Sequence, residues 1–297
     1  MEEMKVENLN TQALSKKEIW QKVGKIALRV FIYAILVIGA SFMLFPYLWM
    51  VMTSLKSGSE ALSLTLQFFP TKWMWSNYPE LWARIPIHLG VMNTLIVEVS
   101  VIVIGTFTST LAAFSFAKLK LRHKTFWLLF LMSGMMVPYA ALMLPQYRAF
   151  QAMYMTDPLW PLILPGFFGN ISMMFFLIQY MKGISSAFFE AAKIDGAGYM
   201  RQFLSIMLPL VKTALAAQII FWFVGIWNDY FAPAIYLKSW ERMTLQPMMA
   251  RISSTNGATN YHLTMAGAVL SSIPMFIIYL CGQKYFIESL AISGVKG

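Results

Sequence analysis

Six long apolar stretches divide the chain, and each is long enough to cross a lipid bilayer. They cover residues 26–52, 90–117, 126–144, 162–181, 211–237 and 263–283. A membrane-spanning helix needs about 20 predominantly apolar residues. The pattern therefore predicts an all-α integral membrane protein with six transmembrane helices. Prolines interrupt several of these stretches, at Pro46, Pro138, Pro165 and Pro274, and membrane helices tolerate them where neighbouring groups satisfy the freed backbone.

The composition supports the membrane class. Of the 297 residues, 58% are hydrophobic and 12% are charged, whereas soluble domains carry about 25% charged residues. The net charge of +10 would suggest a nucleic-acid partner in a soluble protein. Here the charges lie in short connections between apolar stretches, so they indicate topology and no nucleic acid.

The distribution of basic residues predicts the orientation in the membrane. With both termini inside, sixteen lysines and arginines lie on the inner side and seven on the outer side. Cytoplasmic loops are enriched in these residues. We therefore expect a cytoplasmic N-terminal tail (1–25), an extracytoplasmic loop (53–89) and a cytoplasmic C-terminal tail (284–297). The aromatic residues of the 53–89 loop fit an interfacial belt or a docking surface for an external partner.

Catalytic and metal-binding signals are missing from the sequence. The single cysteine, Cys281, excludes a disulfide within the chain, and the histidines His88, His123 and His262 lack ligand spacing. No acidic pair suggests acid–base catalysis, and no G-x-x-x-x-G-K-[ST] loop is present to hold nucleotide phosphates. We therefore predict a transport subunit with no cofactor or metal of its own and no enzymatic activity. If ATP drives transport, another polypeptide must bind it.

The longest inner connection, residues 182–212, carries the most informative pattern. Ser185 and Ser186 can cap a short helix that has Glu190 near its positive end. Asp195-Gly196 ends that helix, since glycine readily adopts the left-handed conformation. A second helix then runs through Tyr199, Phe203 and Ile206 or Met207 at helical spacing, and Pro209 precedes the fifth apolar stretch. The pattern predicts a helix–turn–helix elbow, either lying on the membrane or docking a partner.

The elbow resembles a known motif, the EAA loop of type I ABC-importer permeases. The match comprises Glu190-Ala191-Ala192, Asp195-Gly196-Ala197 and a later Leu208-Pro209. In that family the loop forms a coupling helix that fits a cleft of the ATP-binding subunit. The resemblance implies that Glu190 makes a polar contact there, that Ala191 and Ala192 permit close approach, and that Gly196 sets the bend. Thr213 stands where many members have a proline.

Further segments resemble the carbohydrate branch of this family, in particular its smaller, maltose-transporter-type permease. They are Pro46-Tyr47-x-Trp49, Asn93-Thr94, Met136-Val137-Pro138, Trp227-Asn228-Asp229 and the terminal Gly294-Val295-Lys296-Gly297. The resemblance implies a bacterial inner-membrane location and a type-1 transmembrane core over residues 90–283. It also implies a second homologous permease, two ATPase subunits that bind ATP and Mg, and an extracytoplasmic sugar-binding protein. Residues 238–261 would reach into that binding protein, and the C-terminal tail can contact the ATPases.

Polar residues inside the apolar stretches are the candidates for the translocation pathway, because such groups are costly in lipid. Glu98 lies deepest, about 12 Å into the second stretch at 1.5 Å per residue. It suits a pathway or inter-subunit role, or else an ion pair or a protonated carboxyl buried against another helix. Weaker candidates are Asn170, Gln218, Asn228 and Asp229.

The sequence therefore predicts one permease of an ATP-driven, binding-protein-dependent sugar importer. An importer of glycerol phosphate or another polar solute is the alternative within the same family. An ion-coupled secondary transporter is a more distant alternative, since it would not need an EAA-type elbow. A membrane enzyme is disfavoured by the missing catalytic residues.

Overall fold

A computed structural model of the chain describes residues 16–252 and 260–294. The expectations for residues 1–15, for 295–297 and for the 253–259 part of the last outer connection lie outside the described residues. Within the described ranges the chain is helical and contains no strand. The helices are α1 Lys16–Ser54, α2 Gly58–Ala61, α3 Asn77–Arg84, α4 Ile87–Lys118, α5 Lys124–Gly134, α6 Tyr139–Ala152, α7 Trp160–Phe167, α8 Ile171–Lys182, α9 Ala187–Ile194, α10 Tyr199–Gln202, α11 Leu208–Leu210, α12 Lys212–Trp227, α13 Phe231–Tyr236, α14 Leu245–Ile252 and α15 Tyr261–Gly294.

The described helices confirm the prediction of an all-α membrane protein. Five helical runs are long and apolar enough to cross a bilayer, namely Val23–Ser54, Ile87–Lys118, Trp160–Lys182, Tyr199–Tyr236 and Tyr261–Tyr285. A sixth span results if the bent pair α5 and α6 crosses together. The first and last helices are longer than the apolar stretches predicted. In particular, α15 continues to Gly294, so residues 284–294 of the predicted C-terminal tail are helical.

The prediction of one continuous helix over the third apolar stretch, residues 126–144, is wrong. The chain forms α5 and α6, whose axes differ by 89°. Pro138 precedes α6 in an extended conformation, with ψ 134°, and proline disfavours helical geometry in the residue before it. The helix therefore ends at Gly134 and restarts at Tyr139 in a new direction.

The fourth and fifth stretches are also interrupted. Between α7 and α8, Gly169 adopts φ 92°, and the Asn170 side chain caps α8 by accepting a hydrogen bond from the N–H of Met173 at 3.0 Å. Between α12 and α13, residues 228–230 leave the helix. At the first break the N–H of Asn170 donates to the hydroxyl of Ser109 on α4 at 2.8 Å.

Helix α4 forms the centre of the molecule and packs against α7, α8, α12 and α14. Its buried positions recur at intervals of three and four residues, as expected for a helix with one face against partners; they include Gly90, Thr94, Val97, Val101 and Gly105. A side chain at Gly105 would overlap the Gly166 carbonyl and the Trp222 ring. This close approach brings the backbones of α4 and α7 together.

Two clusters of buried apolar residues stabilise opposite ends of this bundle. One joins the last turns of α4 to α8, to the 189–207 segment and to the start of α12, and it includes Phe114, Leu177, Phe203 and Met207. The other joins α3, the first turn of α4, the 243–252 segment and α15. The two ends of α4 are therefore fixed to different connecting segments.

Helix α1 packs beside α15. The contact lies near the end of α1, where the Tyr47 and Phe276 rings meet at 5.1 Å between centroids. Most of α1 before that point carries exposed apolar side chains, among them Phe31, Leu36 and Phe42. That surface suits lipid or another apolar helix.

Candidate functional site: a helical elbow and a central cavity

The segment between α8 and α12 forms the predicted helix–turn–helix elbow. Helix α9 ends at Ile194, and Gly196 follows with φ 75°, the left-handed conformation that glycine adopts without a steric penalty. Ser186 occupies the N-cap position but makes no side-chain cap hydrogen bond. Ser185 accepts one from the N–H of Ala187 at 3.3 Å. Of the two serines predicted to cap the helix, Ser185 makes the contact.

Aromatic side chains attach the elbow to α4. The Phe114 ring of α4 lies between Phe189 and Phe203 of the elbow, at centroid distances of 5.9 and 5.6 Å. The ammonium of Lys118 donates to the Ile184 carbonyl at 2.6 Å and lies 5.4 Å from the Phe189 ring. The elbow is therefore packed onto the end of α4. Helical spacing in the sequence indicated Phe203, but nothing in the sequence identified Phe114 as its partner.

The opposite face of the elbow is open. Of the predicted coupling residues, Glu190, Ala191, Asp195 and Gly196 are exposed. Ala192 is buried, and its carbonyl accepts the N–H of half-buried Ala197 at 2.8 Å. Large apolar side chains of the same segment are also exposed, namely Phe188, Ile194, Tyr199 and Met200. An exposed apolar patch with a few acidic groups is typical of a protein-docking surface.

The second half of the elbow differs from a regular helix. Residues Phe203–Met207 form a π-helical turn, in which the N–H of Leu208 donates to the Phe203 carbonyl. Pro209 follows directly, and a proline ring clashes with the carbonyl four residues earlier in a regular α-helix. The wider turn lies immediately before that proline, at the junction with the fifth span.

A cavity of about 220 Å³ lies beside the first half of α4, at Thr94, Val97 and Val101. Its walls come from α4, α6, α7, α12 and α13, together with Thr244 before α14. Most lining atoms are apolar, and the polar side chains among them are Thr94, Tyr139, Gln146, Asp229 and Thr244. Ligand sites in proteins commonly combine apolar walls with a few polar groups.

Asp229 is the one predicted pathway residue that lines this cavity. Asn170 caps α8, Gln218 is half-buried on α12, and Asn228 is exposed and donates to the Val224 carbonyl at 2.9 Å. Glu98 is 1% exposed, and neither carboxyl oxygen has a hydrogen-bond partner in the described part of the chain. Tyr139, Gln146 and Thr244 were not predicted: Gln146 and Thr244 lie outside the apolar stretches, and a tyrosine inside such a stretch does not stand out as polar.

The segment between α13 and α14, named the outer segment after its predicted side of the membrane, lies next to the cavity. The Asn93 amide donates to the Glu241 and Met243 carbonyls at 2.8 and 3.0 Å. Thr94 accepts the N–H of Leu245 at 3.0 Å. These contacts explain the Asn93-Thr94 pair structurally: both side chains hold the outer segment against the first turns of α4.

Asp157, in the connection between α6 and α7, holds the same outer segment from the other side. Its carboxylate accepts the backbone N–H groups of Lys238 and Ser239 at 2.9 and 3.0 Å, and also the Ser239 hydroxyl. The hydrogen bond from the Ser239 N–H is the main cause that lowers the pKa of Asp157 below its ordinary value. Among the side chains that the structure describes, no group of three or more His, Cys, Asp or Glu residues could hold a metal ion.

Comparisons with known proteins agree with this architecture. The family model described as binding-protein-dependent transport system inner membrane component matches residues 102–291. The arabinooligosaccharides transport system permease protein AraQ of Bacillus subtilis is 31% identical over 257 residues, covering 86% of this chain and 91% of that protein. The sn-glycerol-3-phosphate transport system permease protein UgpE of Yersinia pestis is 29% identical over 276 residues, covering 90% and 97%.

A solved structure shows the same fold. It is a bacterial ABC transporter involved in the import of the acidic polysaccharide alginate, and it superposes with a TM-score of 0.73. The match covers 93% of this chain and 100% of that chain at 24% identity. The family match and the apolar helices together identify a multi-pass transport subunit and not an enzyme. The chain belongs to the binding-protein-dependent transport system inner membrane component family, the membrane-spanning permeases of ABC importers.

Proposed function

We propose that this permease forms half of the translocation pathway of a saccharide importer and is coupled to separate ATPase subunits through its elbow. The observation that carries the proposal is the two-sided elbow. One face is packed onto α4 through Phe114, and the other exposes Glu190 and an apolar patch. A second, different permease and an external sugar-binding protein complete the proposed assembly.

The contacts of the elbow provide a mechanical route to the membrane helices. A displacement of α9 acts on Phe114 near the end of α4, and through the π-helical turn it acts on the start of α12. Both helices line the central cavity. Closure of the ATPases would thus rock the two helices between inward-facing and outward-facing arrangements. The free energy enters through the different affinities of the ATPases for the two arrangements, and not through bonds made in this chain.

ATP and Mg belong to the partner subunits in this proposal. The sequence contains no phosphate-binding loop of the G-x-x-x-x-G-K-[ST] type, so this chain supplies no such nucleotide site. This chain contributes the surface that binds the ATPases and the pathway that their closure opens.

The relatives support saccharides as the solute class. Two of them are named for oligosaccharide uptake: AraQ, and the diacetylchitobiose uptake system permease protein NgcG of Streptomyces coelicolor, which is 28% identical over 261 residues. UgpE is named for glycerol phosphate transport, so a phosphorylated polyol is the second candidate. Uptake of a panel of labelled saccharides and of glycerol phosphate by proteoliposomes containing the whole importer tests the two.

The coupling role is tested by changing the exposed face of the elbow. In Glu190→Lys, the reversed charge faces the ATPase, and we expect solute uptake to fall within the roughly 5–150-fold range of typical coupling energies. Gly196→Pro should act similarly, because proline cannot adopt the φ of 75°. The measurements are uptake and ATP hydrolysis by the reconstituted importer, with membrane insertion checked by immunoblotting.

Lys120→Glu is the matched control, since it reverses an exposed charge near the end of α4 but outside the elbow. It should transport normally. Normal uptake with normal ATPase stimulation in both Glu190→Lys and Gly196→Pro would show that the elbow does not couple this subunit to the ATPases.

A further inference from the structure

The hydroxyl of Thr244 has no partner within the described protein. Thr244 is 4% exposed, its Oγ1 makes no hydrogen bond, and its side chain lines the central cavity. An unpaired hydroxyl buried in a protein costs about 1–3 kcal/mol. Such a group is usually satisfied by something that occupies the adjoining space.

Two other polar groups of the cavity are held in place by the protein. The Asp229 carboxyl accepts the N–H of Ala232 at 3.3 Å. The Gln146 carbonyl accepts the hydroxyl of Tyr236 at 3.1 Å. Each of these bonds orients a side chain that also lines the cavity. Preorganised polar groups lose less conformational freedom when a ligand binds.

The lining also has a definite charge character. It contains one acid, Asp229, and no lysine, arginine or histidine. An anionic solute would find no positive side chain here to replace its lost hydration. A neutral polyhydroxylated solute suits the lining better. Its hydroxyls can bind carboxyl, amide and hydroxyl groups, and its carbon face can lie against the Trp222 ring and neighbouring aliphatic side chains.

The size of the cavity limits the ligand further. The volume of the cavity is about 220 Å³. It lies below the ~300–1,000 Å³ of sites that hold drug-sized ligands. One sugar ring fits this space, and an oligosaccharide does not fit inside it whole.

We propose that the cavity is a subsite for one uncharged sugar ring, in which Thr244 and Asp229 bind solute hydroxyls. The inference rests on the proposed function and adds two statements to it. This subunit itself contacts the solute, and it discriminates against anionic solutes.

The test is direct binding to the purified permease–ATPase complex, without the external binding protein. Two probes are used: the labelled saccharide that the importer transports, and the same saccharide carrying a carboxylate in place of one hydroxymethyl group. Wild type should prefer the neutral probe. Thr244→Val removes the hydroxyl at constant shape and should weaken binding about three- to ten-fold, as expected for one lost hydrogen bond. Asp229→Asn should reduce the ratio of the affinity for the neutral probe to the affinity for the carboxylate-bearing probe.

Thr106→Val is the control for the hydroxyl. Thr106 is likewise buried with an unpartnered Oγ1, yet it does not line the cavity, so binding should be unchanged. Glu241→Gln is the control for the loss of a negative charge in Asp229→Asn, since Glu241 is an exposed acid elsewhere on the outer segment.

The proposal is overturned if Thr244→Val and Thr106→Val bind equally well, or if the complex binds neither probe while proteoliposomes still import the saccharide. In that second case the importer function stands and only the subsite is lost. If no saccharide is imported by the complete system, the proposed function itself is wrong.

Discussion

Asp157 connects two outer segments that are far apart in the sequence. Its φ of 83° is in the left-handed region, which favours glycine, asparagine and aspartate. From this position the carboxylate reaches the backbone N–H groups of Lys238 and Ser239. The residue therefore fixes the connection between α6 and α7 to the outer segment.

Asp157→Asn should lower the thermal stability of the purified protein at neutral pH. Asparagine tolerates the same backbone conformation but loses the charge, and we expect a loss of about 1 kcal/mol because water screens this partly exposed group. The pKa of Asp157 is lowered in the folded protein. Its stabilisation is thus fully present above the ordinary value of about 3.9 and is lost as the pH falls through the lowered pKa. Melting temperatures measured from pH 7 downward check this.

The difference between the wild type and Asp157→Asn should stay constant down to about pH 4 and then shrink as the pH falls through the lowered pKa of Asp157. Glu241→Gln, which changes an exposed acid on the neighbouring segment, should leave the curve unchanged. A constant difference across the whole pH range would show that the Asp157 charge is not involved.

Single residues differ in how far the sequence revealed them. Gly196 was predictable, because Asp-Gly at the end of a helical pattern signals a left-handed stop and the break depends on local geometry alone. Glu98 stood out because acids are rare in apolar stretches. The partners of Asp157 and Asn93 lie 81 to 150 residues away. No local pattern encodes such contacts, so only the folded chain shows them.

The crossing of α4 and α7 depends on small residues at the point of contact. Gly105 faces the Gly166 carbonyl and the Trp222 ring, and a Cβ at Gly166 would lie 2.6 Å from Val101. Where a membrane helix crosses another this closely, glycine permits backbone contact that a larger residue would prevent.

Gly105→Ala should destabilise the protein by about 1–3 kcal/mol, the usual cost of overpacking. The loss should appear as a lower melting temperature in detergent. Gly225→Ala is the matched control on α12, because a Cβ there meets nothing within 4 Å; it should be neutral, or stabilising by up to about 1 kcal/mol. Equal stability of wild type and Gly105→Ala would mean that the two helices can separate without loss.

Apolar length predicted where the spans lie but not where they break. Pro46 and Pro274 lie inside the continuous helices α1 and α15, whereas Pro138 separates α5 from α6. The sequence shows a proline in each case. Whether the helix continues depends on how its neighbours satisfy the freed carbonyls, which is a property of packing.

The orientation of the protein in the membrane is predicted from the distribution of its basic residues alone. It can be tested with single cysteines in a Cys281→Ser background, since Cys281 is exposed and would otherwise react. A cysteine at exposed Ser59, in the outer loop, should react with a membrane-impermeant maleimide in intact spheroplasts. A cysteine at exposed Ser186, in the elbow, should react only after permeabilisation. The reverse pattern would invert the topology and place the elbow outside.

The contact between α1 and α15 has a consequence for how the protein is made. Tyr47 meets Ser272 and Phe276, and 225 residues separate Tyr47 from Ser272. The ribosome releases the first helix long before it synthesises the last one. Helix α1 must therefore enter the bilayer before its intramolecular partner, α15, has been synthesised. Membrane insertion and final docking of this helix are separate events in time, and docking can follow only when translation is nearly complete.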